Sequence, residues 1–591
     1  MGSAQEHAPP RLVIADNETK LGGPEGCYFA ALGADDGHRW GIDHRWLPGL
    51  PPEKRAAALD DYLTCIGRLD TYNHATPAYW RTALGIRDIE KSIFFNGLDQ
   101  LWRLRHLLQQ IPGGGELKLL VSDPGFARLA GKIAVENGWQ VSIRLEPRWR
   151  RWWSRLYGHW QALRYLLTLA APPGVRRPAV PTSADIVIAT ISTFDRIRRD
   201  QGKRDFMFGQ LPDQLAAEGK KVVMFAQLVG ETNPADAEAR AAAPFPVRTF
   251  ADLTGPLDAV WSFCQSLTAR LRTSAMVSSL GLDLRPLIAS DIARARWRDL
   301  PANMLLERAI GKLVRRSPNA VLLHSFENNA WESVCQDLGR DLGKKSVGLQ
   351  HSALIRSHLK LYRNAMRPAP DAIIVSGPVY QQLMQDEFGH DASRLVCGFA
   401  VRQFEIYSRR PKTSPPGEPQ RILVMLQEAL TSPLFLDLVW MAFKGANGLT
   451  VTLRPHPAVP LGHMLANTQL RMHPPFREST LKSLYEDLDA HDVAVCAGTT
   501  SELEAVALGV PCVFVDSGET VSANPIFADP ALNMVATDAV ELRAACEKLA
   551  GLPEPEFSDQ QRAARAFFEG AFSKQSPKGF NAILKALTPD A

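Results

Sequence analysis

Between residues 497 and 516 the chain reads AGTTSELEAVALGVPCVFVD, in which three consecutive hydroxyl residues, Thr499, Thr500 and Ser501, follow an apolar run and open a helical stretch carrying Glu502 and Glu504. Hydroxyls beside the unpaired N–H groups of a helix N-terminus make an anion site suited to a phosphate. The same spacing also fits a capping box, pairing Thr499 with Glu502 or Ser501 with Glu504. Upstream, LRPHPAVP (453–460) sets Arg454 and His456 among prolines after another apolar run. A cation and an imidazole on a proline-stiffened loop can meet the same anion. Two further segments, HSFENNAWESV (324–334) and GLQHSALIRSHLKLY (348–362), put Glu327, Glu332 and His351 close behind apolar runs as candidates for a general base. Trp331 and Glu332 are also candidate acceptor contacts. Their plainer roles are a packing aromatic and a first-turn carboxylate favoured by the helix dipole.

The elements that must hold these residues are short Val/Ile/Leu-rich strands alternating with helices. Strands are expected at 11–16, 117–123 and 139–146, then at 185–192 and 221–228, then at 320–326, 346–352 and 371–377. After the break RRPKTSPPGEPQ (409–420) the pattern restarts with strands at 421–427, 449–455, 492–498 and 512–518. Near-continuous apolar strands with helices between them mark doubly wound parallel sheets, which bind ligands beyond the carboxyl ends of their strands. The expected organisation is an accessory α/β domain over 1–147, a basic helix and Pro-rich hinge over 148–182, and two doubly wound domains over 183–408 and 409–591.

Residues 148–177 read RWRRWWSRLYGHWQALRYLLTLAAPPGVRR, with seven arginines and no acid. Trp149, Trp152, Trp153, Leu156, Trp160, Leu163 and Leu167 recur at helical spacing, while Arg148, Arg151 and Arg155 fall off that stripe. Such a helix either faces a core with snorkelling arginines or lies on an anionic membrane surface.

Composition sets the remaining bounds. A chain of 591 residues, 45% hydrophobic and 22% charged, is neither a disordered polymer nor a membrane-spanning bundle. A net charge of +4, from 67 basic and 63 acidic side chains, gives no reason to expect a nucleic-acid partner. Eight cysteines without a CxxC pair suggest neither a structural zinc site nor a disulfide framework, and a reducing cytoplasm suits them. The N-terminus shows no signal peptide, and no apolar run reaches the about 18 residues that a spanning helix requires. The expected location is cytoplasmic, peripheral on the inner face of the cytoplasmic membrane.

GTTSELEAVALGVP after a strand, with RPHP earlier in the same domain, resembles the C-terminal half of the two-domain glycosyltransferase fold called GT-B. In particular it is similar to bacterial enzymes that use CMP-activated ulosonic sugars, the sialyltransferases and Kdo transferases of capsule and lipopolysaccharide synthesis. The FENNAWE and QHS segments resemble bacterial surface-carbohydrate biosynthesis proteins. The resemblance covers roughly residues 183–530. It implies an α/β fold of tandem GT-B-like, Rossmann-type domains behind the extra N-terminal α/β domain. It further implies a metal-independent transferase that needs no cofactor beyond its CMP-sugar donor. That enzyme moves Kdo or a sialic-acid-like nonulosonate onto a surface polysaccharide or lipid-linked glycan. In this scheme His456 contacts the donor phosphate and serves as acid to the departing CMP, while Arg454, Thr499, Thr500 and Ser501 hold phosphate oxygens. Glu504 binds the nucleoside. Glu327 is the first choice of base and His351 the second, because the acidic motif of the sialyltransferases is not found here. The alternatives are a UDP- or GDP-sugar transferase or nucleotide-sugar epimerase on the same fold, and a non-catalytic assembly scaffold.

Overall fold

The computed structural model describes residues 11–15, 28–31 and 49–589, apart from 172–182, 193–204, 229–243, 273–276, 363–368, 428–432 and 527–531 and positions 90, 112–113, 122, 146, 206, 328, 403–404, 419, 457–458 and 466–467. The Pro-rich hinge expected at the end of the 148–182 segment thus falls largely outside the described residues, as do Arg176 and Arg177.

Runs of apolar residues too short for a helix, interrupted by helical segments, build three sheets. The first contains β1 (Arg11–Ala15), β2 (Tyr28–Ala31), β3 (Glu116–Val121) and β4 (Gln140–Leu145) in the order β2-β1-β3-β4, with only the β1–β2 pair antiparallel. The second is wholly parallel. It contains β5 (Ile186–Ser192), β6 (Val222–Leu228) and β7 (Val247–Arg248). A small hairpin, β8 (Ser278–Ser279) and β9 (Leu282–Asp283), then intervenes. The sheet resumes with β10 (Val321–Ser325), β11 (Ser346–Leu349), β12 (Ala372–Val375) and β13 (Leu395–Cys397). The third, also parallel, contains β14 (Arg421–Met425), β15 (Thr450–Arg454), β16 (Phe476–Glu478), β17 (Val493–Cys496), β18 (Cys512–Val515) and β19 (Asn533–Ala536).

The second sheet runs β7-β6-β5-β10-β11-β12-β13 and the third β16-β15-β14-β17-β18-β19. In each, the first strand lies in the interior. The chain winds outward on one side, returns, and lays its fourth strand on the other side of the first. This is the doubly wound Rossmann-type order, and two such sheets in tandem behind an α/β domain match the GT-B-like expectation. The rule for such sheets puts the ligand crevice where the winding reverses, at the carboxyl ends of β5 and β10 in one sheet and of β14 and β17 in the other. Each strand of β10, β11, β12, β17 and β18 is buried along its whole length, because helices cover both faces.

The three hydrophobic cores do not follow the linear division expected from sequence. The last helix, Pro577–Ala586, lies in the 409–591 segment, yet Ile583 and Ala586 join the core of the second sheet. The approach to that helix is held there by Ser376 Oγ donating to the Ala571 carbonyl at 2.7 Å. The hairpin β8–β9 and the helix Arg285–Ala295 lie within 183–408, yet Leu282, Leu287 and Ile288 belong to the N-terminal core. There Asp291 accepts from Ser92 Oγ at 2.6 Å and from Phe94 N at 2.9 Å, capping the helix Ile93–Gln110. No helix among the described residues is long and apolar enough to cross a membrane.

Arg81 joins the N-terminal domain to the second sheet's helices. Its guanidinium lies 2.8 Å from Glu307 Oε2 and 3.4 Å from Asp337 Oδ2, and both it and Asp337 are almost wholly withdrawn from water. Arg81→Ala is expected to cost about 3 kcal/mol, the low end for a charge left buried, since Arg340 still holds Asp337. A denaturant midpoint unchanged from wild type would show that this ion pair does not hold the domains together.

Candidate active site

The turn after β17 sits at the reversal point of the third sheet. Gly498 takes φ +109°, open to glycine, and a Cβ there would lie 2.5 Å from the Ala523 Cβ and 2.9 Å from Gln427 Nε2. Gln427, at the end of β14, donates through Nε2 to the Ala497 carbonyl at 3.2 Å, so the two strands that frame the crevice are tied at their ends. The helix Thr500–Ala507 follows, with Thr499 as its N-cap.

Of the two capping boxes the spacing allowed, the structure forms Thr499 with Glu502. Glu502 is fully buried and accepts from Gly498 N at 2.6 Å and Thr499 N at 2.8 Å, while Thr499 Oγ1 accepts from Ser501 N at 3.4 Å. Burial pushes the Glu502 carboxyl up to about 7 against the pull of those N–H donors. Beneath it the Cys496 and Cys512 sulfurs lie 3.0 Å apart on adjacent strands, and burial pushes the Cys496 thiol well up. Because Glu502 takes two of the turn's N–H groups, an anion here is left chiefly to the hydroxyls of Thr499, Thr500 and Ser501.

At the reversal point of the second sheet the same device recurs. Glu332, three residues beyond the N-cap Asn329 of the helix Ala330–Asp341, is fully buried and accepts from Ser325 Oγ at 2.8 Å and Glu327 N at 3.0 Å. Its second oxygen lies 3.2 Å from the ammonium of buried Lys360, whose pKa burial lowers. Trp331 is buried in the core of the same sheet. Neither side chain is presented to an acceptor, which corrects the contact expected of both: burying them against core and cap is what shapes the turn.

The turn so shaped presents Glu327, whose Oε1 lies 3.2 Å from His351 Nε2. The His351 side chain is 1% exposed and that of Glu327 19%, so of the two only the carboxylate can reach a substrate. Burial, with the nearby Arg402 charge, holds the His351 imidazole well below its usual pKa, and it is neutral. Burial likewise brings His358, in the field of Glu327 and Lys91, down to about 4.

The loop after β11, whose His351 pairs with Glu327, meets the reversal point of the third sheet. Ala353 N, two residues beyond His351, donates to Thr500 Oγ1 at 3.2 Å, joining the loop after β11 to the hydroxyl turn of the other sheet. Arg402, after β13, adds its positive charge to the surroundings of Asp205, His351 and Glu504, which come from three different segments. Asp205, on the loop after β5, accepts from Thr190 Oγ1 and from the Met207 and Phe208 amides. The reading from sequence singled out neither Arg402 nor His358, since each reaches the site by a tertiary contact that no local spacing announces.

Of the remaining expected residues, Arg454 is engaged elsewhere. His456 is half-buried on the loop after β15, its carbonyl accepting from Val459 N at 3.0 Å. Arg454 does not point to the hydroxyl turn as expected. Its guanidinium is paired with buried Asp487 and donates to the Leu481 carbonyl, because a buried carboxylate needs a partner more than a solvated one does. It thereby fixes the helix Leu484–Ala490, on which Tyr485 donates to Glu504 Oε1 at 2.8 Å. Burial raises the Glu504 carboxyl.

No protein-family model matches the chain, and no curated protein matches it. Among solved structures it is similar to the glycotransferase of kitacinnamycin, at 17% identity over 69% of this chain and 100% of that one, with a TM-score of 0.39. It is similar also to the calicheamicin glycosyltransferase, at 14% identity over 69% and 99% with a TM-score of 0.40, and to a wall teichoic acid polymerase, at 10% identity over 74% and 96% with a TM-score of 0.34.

The Glu502 cap has a pH signature. The folded protein keeps the proton up to about pH 7, whereas the unfolded chain releases it near the ordinary value of 4.5. The stability this group contributes is therefore complete below 4.5 and lost as pH rises through 7. Glu502→Gln keeps an acceptor for Gly498 N and Thr499 N but cannot titrate. The Tm of wild type relative to this variant is expected to fall between pH 5 and pH 8; a constant gap would show that Glu502 is ionised throughout.

Proposed function

We propose that the chain is a metal-independent glycosyltransferase that moves a CMP-activated ulosonic acid, Kdo or a sialic-acid-like nonulosonate, onto a glycan or lipid-linked glycan at the inner face of the cytoplasmic membrane. The observation that carries the transferase reading is the junction itself. A carboxylate backed by a neutral imidazole, Glu327 and His351, stands at one reversal point, and it is linked through Ala353 to the hydroxyl turn 499–501 at the other. The choice of CMP rests on the resemblance of GTTSELEAVALGVP and RPHP to the ulosonic-acid transferases.

In this reading the bond between the anomeric carbon and the phosphate oxygen breaks, and its electrons leave on CMP. The hydroxyls of Thr499, Thr500 and Ser501 and the His456 imidazole hydrogen-bond the departing phosphate, supplying the preorganised donors that help most where charge develops. Glu327 takes the proton of the acceptor hydroxyl as its oxygen bonds to the anomeric carbon. His351 is a positioning residue that aims the Glu327 carboxylate. A positioned base of this kind is worth about 10²- to 10⁴-fold. The charge on the leaving group is met by hydroxyls and an imidazole, so the scheme calls for no metal.

Thermal shifts with CMP, UDP, GDP and ADP test the donor. CMP at 100 times its dissociation constant is expected to stabilise by about 2.7 kcal/mol, with the other three well below it; selective stabilisation by another nucleotide overturns the donor, and no shift with any of the four favours a scaffold. With the matching sugar donor, Glu327→Gln is expected to lower kcat at least about 100-fold and His456→Ala at least about tenfold, or roughly 1.4 kcal/mol, with unchanged Tm. Full turnover in either variant removes that residue from the mechanism.

A further inference from the structure

The helix Arg148–Leu169 does not turn its tryptophans inward. Trp149, Trp152, Trp153 and Trp160 are each 57–60% exposed, and only Gly158 and Leu166 of this helix are buried. Beside it runs the helix Pro256–Thr268, antiparallel: Ala171 N donates to the Thr254 carbonyl at one end, and the His159 ring meets the Phe263 ring further along. This second helix carries a stripe of its own. Leu257, Val260, Trp261, Cys264 and Leu267 recur at helical spacing and are exposed, Leu257 at 86%, while its buried residues Ala259, Ser262 and Ser266 lie on the opposite face. Two packed helices thus turn apolar, aromatic stripes away from the body of the protein, an arrangement that needs a partner to cover it.

The charge around the stripes says which partner. The first helix holds Arg148, Arg150, Arg151, Arg155 and Arg164 and no acid. Arg150 lies over the Trp149 ring at 5.3 Å, and Arg308 lies over the Trp261 ring at 5.7 Å. The acid of the second helix, Asp258, accepts from Gly255 N and is matched by Lys312 and Arg308. A second copy of this chain across a two-fold axis would set these arginines against their own images, which opposes self-association. Exposed tryptophan rings among arginines that meet no acid among the described residues instead suit the headgroup layer of an anionic bilayer, where rings enter the acyl boundary and guanidinium groups meet phosphates.

We propose that the helices Arg148–Leu169 and Pro256–Thr268 form one docking face for an anionic phospholipid bilayer. The inference deepens the membrane placement in the proposed function and is independent of the sugar chemistry, because its test reads no turnover. The full chain is centrifuged with vesicles of phosphatidylcholine alone or with phosphatidylglycerol added. Wild type is expected to partition at least about tenfold better onto the phosphatidylglycerol vesicles and to come off as salt is raised. Trp152→Ala with Trp153→Ala, and separately Leu257→Glu with Trp261→Glu, are each expected to weaken partitioning at least about tenfold with unchanged Tm, since all four side chains are exposed. No partitioning by wild type, or equal partitioning onto both vesicles, overturns the docking face. Wild-type partitioning by the Leu257/Trp261 variant excludes the second helix and with it the two-helix face. A wild-type dimer in light scattering that the Trp152/Trp153 variant converts to monomer makes the surface a contact between copies instead.

Discussion

A buried carboxylate three residues into a helix, tied to the backbone of the turn that precedes it, is the constraint on which the site depends. Glu502 does this after β17 and Glu332 after β10, each following the fourth strand of a doubly wound sheet at the point where the winding reverses. Taking a carboxylate out of water is costly, and the cost is offset only if donors converge on it in good geometry. The turn that supplies those donors is therefore held in one shape. In one sheet that shape exposes three hydroxyls; in the other it exposes Glu327. The two sheets differ in how they settle the buried charge: Glu332 keeps an ammonium partner in Lys360, while Glu502 lies over two thiols and its pKa rises instead.

The N-terminal domain stabilises the junction from the side. Arg55 reaches Asp516 at 2.6 Å and Arg103 donates to the Gly518 carbonyl, both on the loop after β18, and Asp99 accepts from Thr520 on that same loop. Leu359, on the long loop after β11 that also carries His351 and His358, is part of the N-terminal core. An accessory domain of this kind binds both halves of the tandem, so it limits how far the two reversal points can part. The return of the helix Pro577–Ala586 to the second sheet adds a further link between them.

How much of this was legible in the residues varies with burial. Each interior strand of the two parallel sheets was readable, because a strand covered on both faces is mostly apolar and so announces itself as a run such as AIIV or CVFV. The strands of these two sheets that escaped, β7, β13, β16 and β19, lie at sheet edges, where half the surface faces water and the run breaks up. The places of the hydroxyl triplet, Glu327 and His351 behind apolar strands were likewise legible, whereas the pairing of Glu327 with His351 was not, since it joins two separate loops. The roles of Arg454, Trp331 and Glu332 were not, because a side chain's direction is set by the partner it finds and not by its neighbours in the chain.

Local order thus settled which elements form, how they alternate, and which turns carry hydroxyls, imidazoles and carboxylates, since periodicity and capping act over a few residues. Folding in three dimensions settled everything that depends on distant segments meeting. It chose Thr499 with Glu502 over Ser501 with Glu504 as the capping box, sent Arg454 to Asp487, and brought Arg402 to the junction. It also left the tryptophans of the basic helix facing outward, an outcome the helical period alone could not distinguish from a buried stripe. The physical reason is the same in each case: an amphipathic pattern states that a face must be covered, but only the packed neighbours determine what covers it.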